Sequence, residues 1–313
     1  MNLRTKQKKL IFFLPNFNLG GAAESILKLV KYLAKRNFSI LVISIGKNFY
    51  KKDLKKINCE IIEIKSTRVF FPIFKLRKII INETKKNFDK IIFISNINYA
   101  NIISLISLRS LNKINIILTE RSSISELKYA DSFTKFLKNI IIYSLAKYLY
   151  KFSDLIITNS NFEKNYIRNK FKLNNVISIH PPSIKSINKS KNNKFNPKKA
   201  TRIIYVGRLS KEKGVFLILK ALKKIKNNYK FLFNLYGEGP DRESIKNYIK
   251  NNNLEKLVFL KGFVRNKKLI FKNADLFINA SLWEGLPNAL VQSINYNVFP
   301  ICSNAPGGNY GGN

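Results

Sequence analysis

Short apolar runs recur along the chain, separated by longer stretches whose apolar positions repeat at helical spacing. In the first half the runs fall at residues 9–14, 40–45, 59–64, 90–94, 115–119, 155–158 and 176–179. After the first of them, Ala23, Ile26, Leu27, Val30, Leu33 and Ala34 share one helical face, which predicts a helix over 22–35. Short apolar strands alternating with helical stretches predict a mostly parallel sheet covered on both faces. The Pro181-Pro182 pair ends the seventh run, and the segment that follows is polar, basic and almost without apolar periodicity. It reads as a linker. Beyond it the alternation restarts, with strands at 202–206, 231–236, 256–260, 275–279 and 298–302. The pattern thus predicts an α/β chain with a first domain over 1–183, a linker over 184–200 and a second domain over 201–313.

One helical stretch, 133–150, departs from a simple two-faced pattern. Phe133, Phe136, Leu137, Ile140, Ile141, Ser144, Leu145, Tyr148 and Leu149 form a stripe flanked by Lys135, Lys138, Lys147 and Lys151. The stripe reads as a helix packed on its sheet. Ile142, Tyr143 and Tyr150 widen the apolar face, which suits a helix lying on an anionic membrane surface, so both readings stand.

Composition narrows the classes. The 313 residues suffice for two domains of ordinary size, and 45% hydrophobic with 24% charged residues is a globular balance. The formal net charge of +39 favours anionic partners: nucleic acid, anionic lipid or phosphorylated substrates. Because the lysines are spread along the whole chain among many Asn and Ile, the charge carries little weight as a sign of function. A nucleic-acid binder would need a clustered basic face or a reader motif, and the sequence has neither, so no nucleic-acid partner is expected. Cys59 and Cys302 lie far apart and read as free thiols in a reducing compartment. The apolar run near the N-terminus is too short for a signal peptide, and no run is long enough to span a bilayer. A cytoplasmic protein, soluble or peripheral on the inner membrane face, is expected.

Two turns carry candidate chemistry. Gly207-Arg208-Leu209-Ser210-Lys211-Glu212-Lys213-Gly214 joins a strand to a helix start. It reads either as a solvated basic turn or as an anion site, in which free helix-start N–H groups and the Arg208 and Lys213 charges face one ligand. Glu284 stands in the turn Trp283-Glu284-Gly285-Leu286-Pro287 before another helix start. By itself it reads as a helix-start acid that favours the macrodipole. A cationic turn together with a loop carboxylate suits a ligand with a diphosphate and a hydroxyl-rich end, such as a nucleotide sugar. Gly20 and Gly21 lie in a strand-to-helix turn, either a plain tight turn or a close backbone approach to a phosphate or sugar. Glu120 and Arg121 follow the strand at 115–119, where parallel sheets bind ligands, and read either as acceptor-facing or as part of a solvated loop.

The order and spacing of Gly207-Arg208, Lys213-Gly214, Glu284 and Gln292 closely resemble the retaining glycosyltransferases of family 4, which pair G-R-x4-K-G with E-x7-E. The resemblance covers almost the whole chain and is strongest over 207–304. It implies a GT-B fold, two Rossmann-like domains facing a cleft, with the acceptor on the first domain and the nucleotide sugar on the second. Arg208 and Lys213 would hold the donor diphosphate, and Glu284 the hydroxyls of the transferred sugar. The turn of Gly285, Leu286, Pro287 and Asn288, with the helix start that follows it, would support sugar and phosphate through its N–H donors, and Gly207 belongs to the same donor site. Phe263 and Val264 match a turn that holds the nucleobase, although Phe263 by itself reads first as a core-packing residue.

The implied reaction moves a hexose or N-acetylhexosamine, from a UDP-linked donor by analogy, to a lipid-linked or polysaccharide acceptor. Enzymes with a similar Trp-Glu-Gly-Leu-Pro-Asn turn build bacterial surface polysaccharides, including lipopolysaccharide. No cofactor or metal is expected, and the sequence has no Asp-x-Asp. Two departures stand out. Gln292 replaces the second acid, whose place would be at the ribose; an amide accepts there without charge assistance. The chain also stops soon after the strand at 298–302, where relatives continue, so a truncated second domain is expected, with an inactive remnant as the alternative.

Overall fold

A computed structural model describes residues 8–15, 17, 21–36, 38–65, 71–121, 123–128, 132–180, 183–184, 199–285 and 287–305. The chain divides into two compact units, Met1–His180 and Pro181–Asn313. Most of the predicted linker lies outside the described residues.

The first unit is built on seven strands: β1 (Lys9–Leu14), β2 (Ser39–Ile45), β3 (Glu60–Ile64), β4 (Ile91–Asn96), β5 (Ile114–Glu120), β6 (Leu155–Thr158) and β7 (Val176–Ser178). All pair in parallel, in the order β3-β2-β1-β4-β5-β6-β7. Helices α1 (Gly21–Ala34), α2 (Lys51–Lys55), α3 (Phe71–Thr84), α4 (Asn98–Leu108), α5 (Phe133–Leu149) and α6 (Asn161–Phe171) connect them. The reason β1 is apolar at every position after Lys9 is visible in its packing. Leu10, Phe12 and Leu14 enter one core cluster, while Ile11 and Phe13 enter another. A strand buried on both faces cannot alternate apolar with polar.

The second unit repeats the plan with β8 (Thr201–Val206), β9 (Phe231–Tyr236), β10 (Val258–Gly262), β11 (Leu276–Asn279) and β12 (Phe299–Cys302), in the parallel order β10-β9-β8-β11-β12. Its helices are α7 (Val215–Ile225), α8 (Arg242–Asn251), α9 (Lys267–Phe271) and α10 (Asn288–Asn295). In both units the strand order reverses beside the first strand, at β1/β4 and at β8/β11. Such switch points open a crevice beyond the carboxyl ends of the strands.

Two expectations shift. The strand expected at 256–260 begins at Val258, because Leu257 and Val258 both donate to the Leu254 carbonyl in a turn. The stripe expected to pack α5 on its sheet faces outward instead, except at Leu149. Asn139, Ala146 and Leu149 are the buried residues of that helix, and Ile142 and Tyr143 pack partly against the core. Those five positions have helical spacing of their own, whereas Phe133, Phe136, Ile141 and Tyr148 are exposed. β12 is an edge strand with Phe299 and Ile301 exposed.

Candidate active site

The site in the second unit starts from backbone geometry. β8 ends at Val206, and Gly207 donates its N–H to Tyr236 O at 3.0 Å, tying the β8 end to the β9 end. Leu209 N–H then donates to Glu238 O, also at 3.0 Å. Gly237, at φ +147°, lies so close to this crossing that a Cβ there would sit 1.8 Å from Gly207 O. Below the turn, the buried Tyr205 hydroxyl donates to Arg208 O at 2.7 Å. The phenol's pKa is pushed well above its usual range by burial, then by the charges of Glu284 and Glu212.

A single 3₁₀ turn, Lys211–Lys213, follows, and Gly214 caps α7 in the left-handed region at φ +64°. A Cβ on Gly214 would meet Ala280 O at 1.9 Å, so glycine is required both by the backbone angle and by this close approach. The approach brings the turn against the loop after β11, where Leu282 N–H donates to Glu212 O at 2.8 Å.

That juxtaposition assembles the polar centre. Lys213 Nζ donates to Glu284 Oε1 at 2.7 Å, with the two side chains 24% and 12% exposed. The Ser281 hydroxyl lies 2.7 Å from the same oxygen and 2.6 Å from Asn279 Oδ1. Arg208 is exposed and makes no ion pair or hydrogen bond through its side chain among the described residues. α7 and α10 begin at Val215 and Asn288, after Gly214 and Pro287, and neither cap residue supplies a side-chain acceptor. The first-turn N–H groups of a helix have no intrahelical partner, so the starts of α7 and α10 offer donors that no cap side chain satisfies, as does that of α8. Among the described residues, no group of three or more His, Cys, Asp or Glu is placed to hold a metal ion.

The remaining predicted positions divide. Gly285 and Pro287 lie in the loop leading into α10, and Leu286 lies outside the described residues. Asn288 Oδ1 accepts from the Ser183 hydroxyl. Phe263 is 37% exposed, which corrects the core-packing reading; its ring lies 5.9 Å from Lys267 Nζ. Val264 packs against the core cluster that contains Ile204 and Phe277. Gln292 is buried, and its Nε2 donates to Ser183 O at 3.1 Å. A glutamate there would have no proton to give that carbonyl at neutral pH. The amide is therefore accounted for by a local partner that sequence spacing does not reveal.

In the first unit Gly21 opens α1, while Gly20 lies outside the described residues. Glu120 is fully buried, which corrects its acceptor-facing reading. Its Oε1 accepts from the Tyr150 hydroxyl and from Asn101 Nδ2, the latter at 2.8 Å. Burial raises its pKa to about 8, partly offset by the Tyr150 bond. The reason for the error is register: β5 continues through Glu120, so its side chain points inward, and Arg121 is the first residue beyond the strand. Arg121 is part-exposed and reaches Ser25 Oγ and Asn96 Oδ1 at 3.3 and 3.4 Å. A buried acid that sequence reasoning passed over, Glu163, bonds Ser123 Oγ at 2.6 Å and Ile124 N–H at 2.7 Å, and burial raises its pKa to about 7. Its position three residues after Ser160, which caps α6, was the available sign.

Two parallel-sheet units with these strand orders and a switch point in each define the GT-B architecture of glycosyltransferases. Residues 19–185 match the family model for Glycosyltransferase Family 4, and residues 186–310 match that for Glycosyl transferases group 1. The chain belongs to glycosyltransferase family 4. It is similar, at 27% identity over 307 residues, to the Campylobacter jejuni GalNAc-alpha-(1->4)-GalNAc-alpha-(1->3)-diNAcBac-PP-undecaprenol alpha-1,4-N-acetyl-D-galactosaminyltransferase, covering 94% of this chain and 79% of that one. A Methanocaldococcus jannaschii glycosyltransferase is 29% identical over 186 residues, covering 55% of this chain; the chain spans 45% of that relative's length. Among solved structures, Anabaena HepE in complex with UDP and glucose superposes with a TM-score of 0.73 at 16% identity, covering 95% of this chain and 81% of that one. The pneumococcal O-GlcNAc transferase GtfA in complex with UDP and GlcNAc gives 0.72 at 12% identity, covering 98% and 86%. At these identities the two structures speak for the fold.

Proposed function

We propose that this glycosyltransferase moves a hexose or N-acetylhexosamine from a UDP-linked donor to a lipid-linked or polysaccharide acceptor, with retention of anomeric configuration and without a metal. One observation carries the donor site: the ion pair between Lys213 and Glu284, which joins the basic turn to the carboxylate turn at the carboxyl edge of the second sheet. The acceptor class follows the Campylobacter relative, whose name specifies an undecaprenyl-diphosphate-linked glycan.

Transfer builds negative charge on the leaving diphosphate. Arg208, Lys213 and the uncapped start of α7 would stabilise that charge where it develops, which is how fixed donors lower such barriers. Glu284 holds Lys213 before the donor arrives, and a sugar hydroxyl would then take over one of its acceptor positions. Exchange of partners within a preformed set leaves little reorganisation for the reacting step. Phe263, exposed beside Gly262, offers a stacking surface for the nucleobase.

The exposed face of α5 supports a peripheral site on an anionic membrane. Phe133, Phe136, Leu137, Ile140, Ile141 and Tyr148 are each at least 45% exposed, with Lys135, Lys138, Lys147 and Lys151 along the same helix and its end. Among the described residues no helix is long and apolar enough to cross a membrane.

The test is transfer of radiolabelled sugar from a panel of UDP-sugars to a diphosphate-linked lipid glycan by the purified chain and by its Arg208→Ala and Lys213→Ala variants. Transfer by the parent and its loss in both variants is expected; equal transfer by all three defeats the assignment.

A further inference from the structure

Arg121 differs in its surroundings from the other enclosed cations of the molecule. Lys9, fully buried at the start of β1, is neutralised by Glu60 and lies 3.7 Å from Glu83. Lys213, with its side chain 24% exposed, pairs with Glu284 at 2.7 Å. The Arg121 guanidinium has no carboxylate partner among the described residues. Its two side-chain hydrogen bonds are long, 3.3 and 3.4 Å, and go to the neutral Ser25 and Asn96, while its Nε is buried with no partner among the described residues. Burial holds its pKa down to about 10. Taking a cation out of water without a counter-charge is costly, and such groups persist where a ligand supplies the missing charge.

The location sharpens this. Asn96 ends β4, and its Nδ2 donates to Phe13 O on β1 at 3.3 Å. Its Oδ1 accepts from Thr119 Oγ1 at 2.6 Å as well as from Arg121. Asn96 therefore bridges β1 and β4, the pair at which the first sheet reverses its order. Ser25 lies on α1, the helix that follows β1. Arg121 thus stands at the first unit's switch-point crevice, anchored by a residue whose orientation is fixed by three partners.

We propose that Arg121 is an anion-binding residue of the first unit and takes a phosphoryl group of a bound substrate at the β1/β4 crevice. The inference rests on the glycosyltransferase reading, in which the phosphoryl group belongs to a diphosphate-linked acceptor or to the nucleotide-sugar donor. A guanidinium presents paired N–H donors that match two oxygens of a phosphoryl group, and the two long bonds to Ser25 and Asn96 are weak enough for such a group to displace.

The test uses the full chain, its Arg121→Gln and Arg121→Lys variants, and inorganic pyrophosphate as the probe, titrated calorimetrically at physiological salt with and without saturating UDP. Arg121→Gln should bind pyrophosphate at least about tenfold more weakly, with Arg121→Lys between the two because it keeps charge but loses the planar fork. A loss that persists with UDP present assigns the group to the acceptor; a loss seen only without UDP assigns it to the donor. Arg121→Gln should also melt no lower than the parent, since it removes an uncompensated charge. Equal pyrophosphate binding by parent and Arg121→Gln in both conditions overturns the proposal, and so does failure of Arg121→Gln to fold, which marks the guanidinium as structural. The same titrations read UDP binding separately. A parent chain that binds no UDP removes the donor reading of the second unit while leaving an Arg121-dependent pyrophosphate site intact.

Discussion

Lys213 Nζ donates to Glu284 Oε1 at 2.7 Å, so the cation of one turn and the carboxylate of another are partners in the same unit before any ligand is bound. Each is the other's counter-charge in a half-buried setting, with Ser281 as a further neighbour of the carboxylate. Removing either one alone leaves its partner less well compensated.

Lys213→Ala and Glu284→Gln should each reduce turnover by about 10²–10³-fold, the range seen when a single transition-state donor is lost. Because the two residues act as one unit, the double variant should fall far less than the product of the single effects. Steady-state rates for the four members of the cycle check this; multiplicative losses would show that the residues work independently.

Gly214→Ala should unfold the second unit at markedly lower urea. The substitution combines left-handed strain, about 1–3 kcal/mol for such a conformation, with a Cβ placed 1.9 Å from the Ala280 carbonyl oxygen. Gly262→Ala is the comparison: its φ is +66°, but the new Cβ would meet only Glu238 Oε1, at 3.0 Å. That atom ends a flexible side chain and can move, so Gly262→Ala should cost less. Equal urea midpoints for the two variants would contradict the close approach.

Gln292→Glu restores the acid of the family's spacing yet should destabilise the protein. The carboxylate would face the Ser183 carbonyl that the amide now satisfies, at a cost of about 1–3 kcal/mol for the lost buried bond. Repulsion by that carbonyl raises the new group's pKa in the folded state. The variant should therefore be closest to the parent at low pH and lose ground as pH rises through that folded value. Melting curves of both proteins between pH 5 and 8 are the check, and a constant difference across that range would count against the contact.

Glu120 gives a pH dependence of its own. Burial raises its pKa from 4.5 to about 8 in the folded chain, and Glu163 shifts in the same direction to about 7. Between those limits the folded state holds protons that the unfolded state releases, so stability falls as pH rises from about 4.5 towards 8. Glu120→Gln keeps an acceptor for Tyr150 and cannot ionise. Its melting temperature should decline less than the parent's over that interval; an identical decline would place the titrating group elsewhere.

Much of this was legible in the sequence, for reasons that particular residues make plain. β1 announced itself because a parallel strand buried on both faces must be apolar along its length. The turn before α7 was legible because Gly214 must be glycine, held at a left-handed angle with the Ala280 carbonyl against it. What the sequence concealed is side-chain direction and long-range partnership. Glu120 and Arg121 are neighbours, yet one turns into the core and the other out of the strand, a difference set by where β5 ends. The α5 stripe misled because both faces of that helix are apolar, and only packing reveals that Asn139, Ala146 and Leu149 lie inward. Gln292 looked like a weakened site acid because its partner, the Ser183 carbonyl, is far away in the chain.

The most direct test of the central claim is the calorimetric affinity of the purified chain for UDP against uridine, in the parent and in the Arg208→Ala/Lys213→Ala double variant. If the basic turn grips the donor's diphosphate, the parent will bind UDP much more tightly than uridine, and the double variant will lose most of that difference while keeping its affinity for uridine. A preference for UDP that survives unchanged in the double variant would contradict the claim.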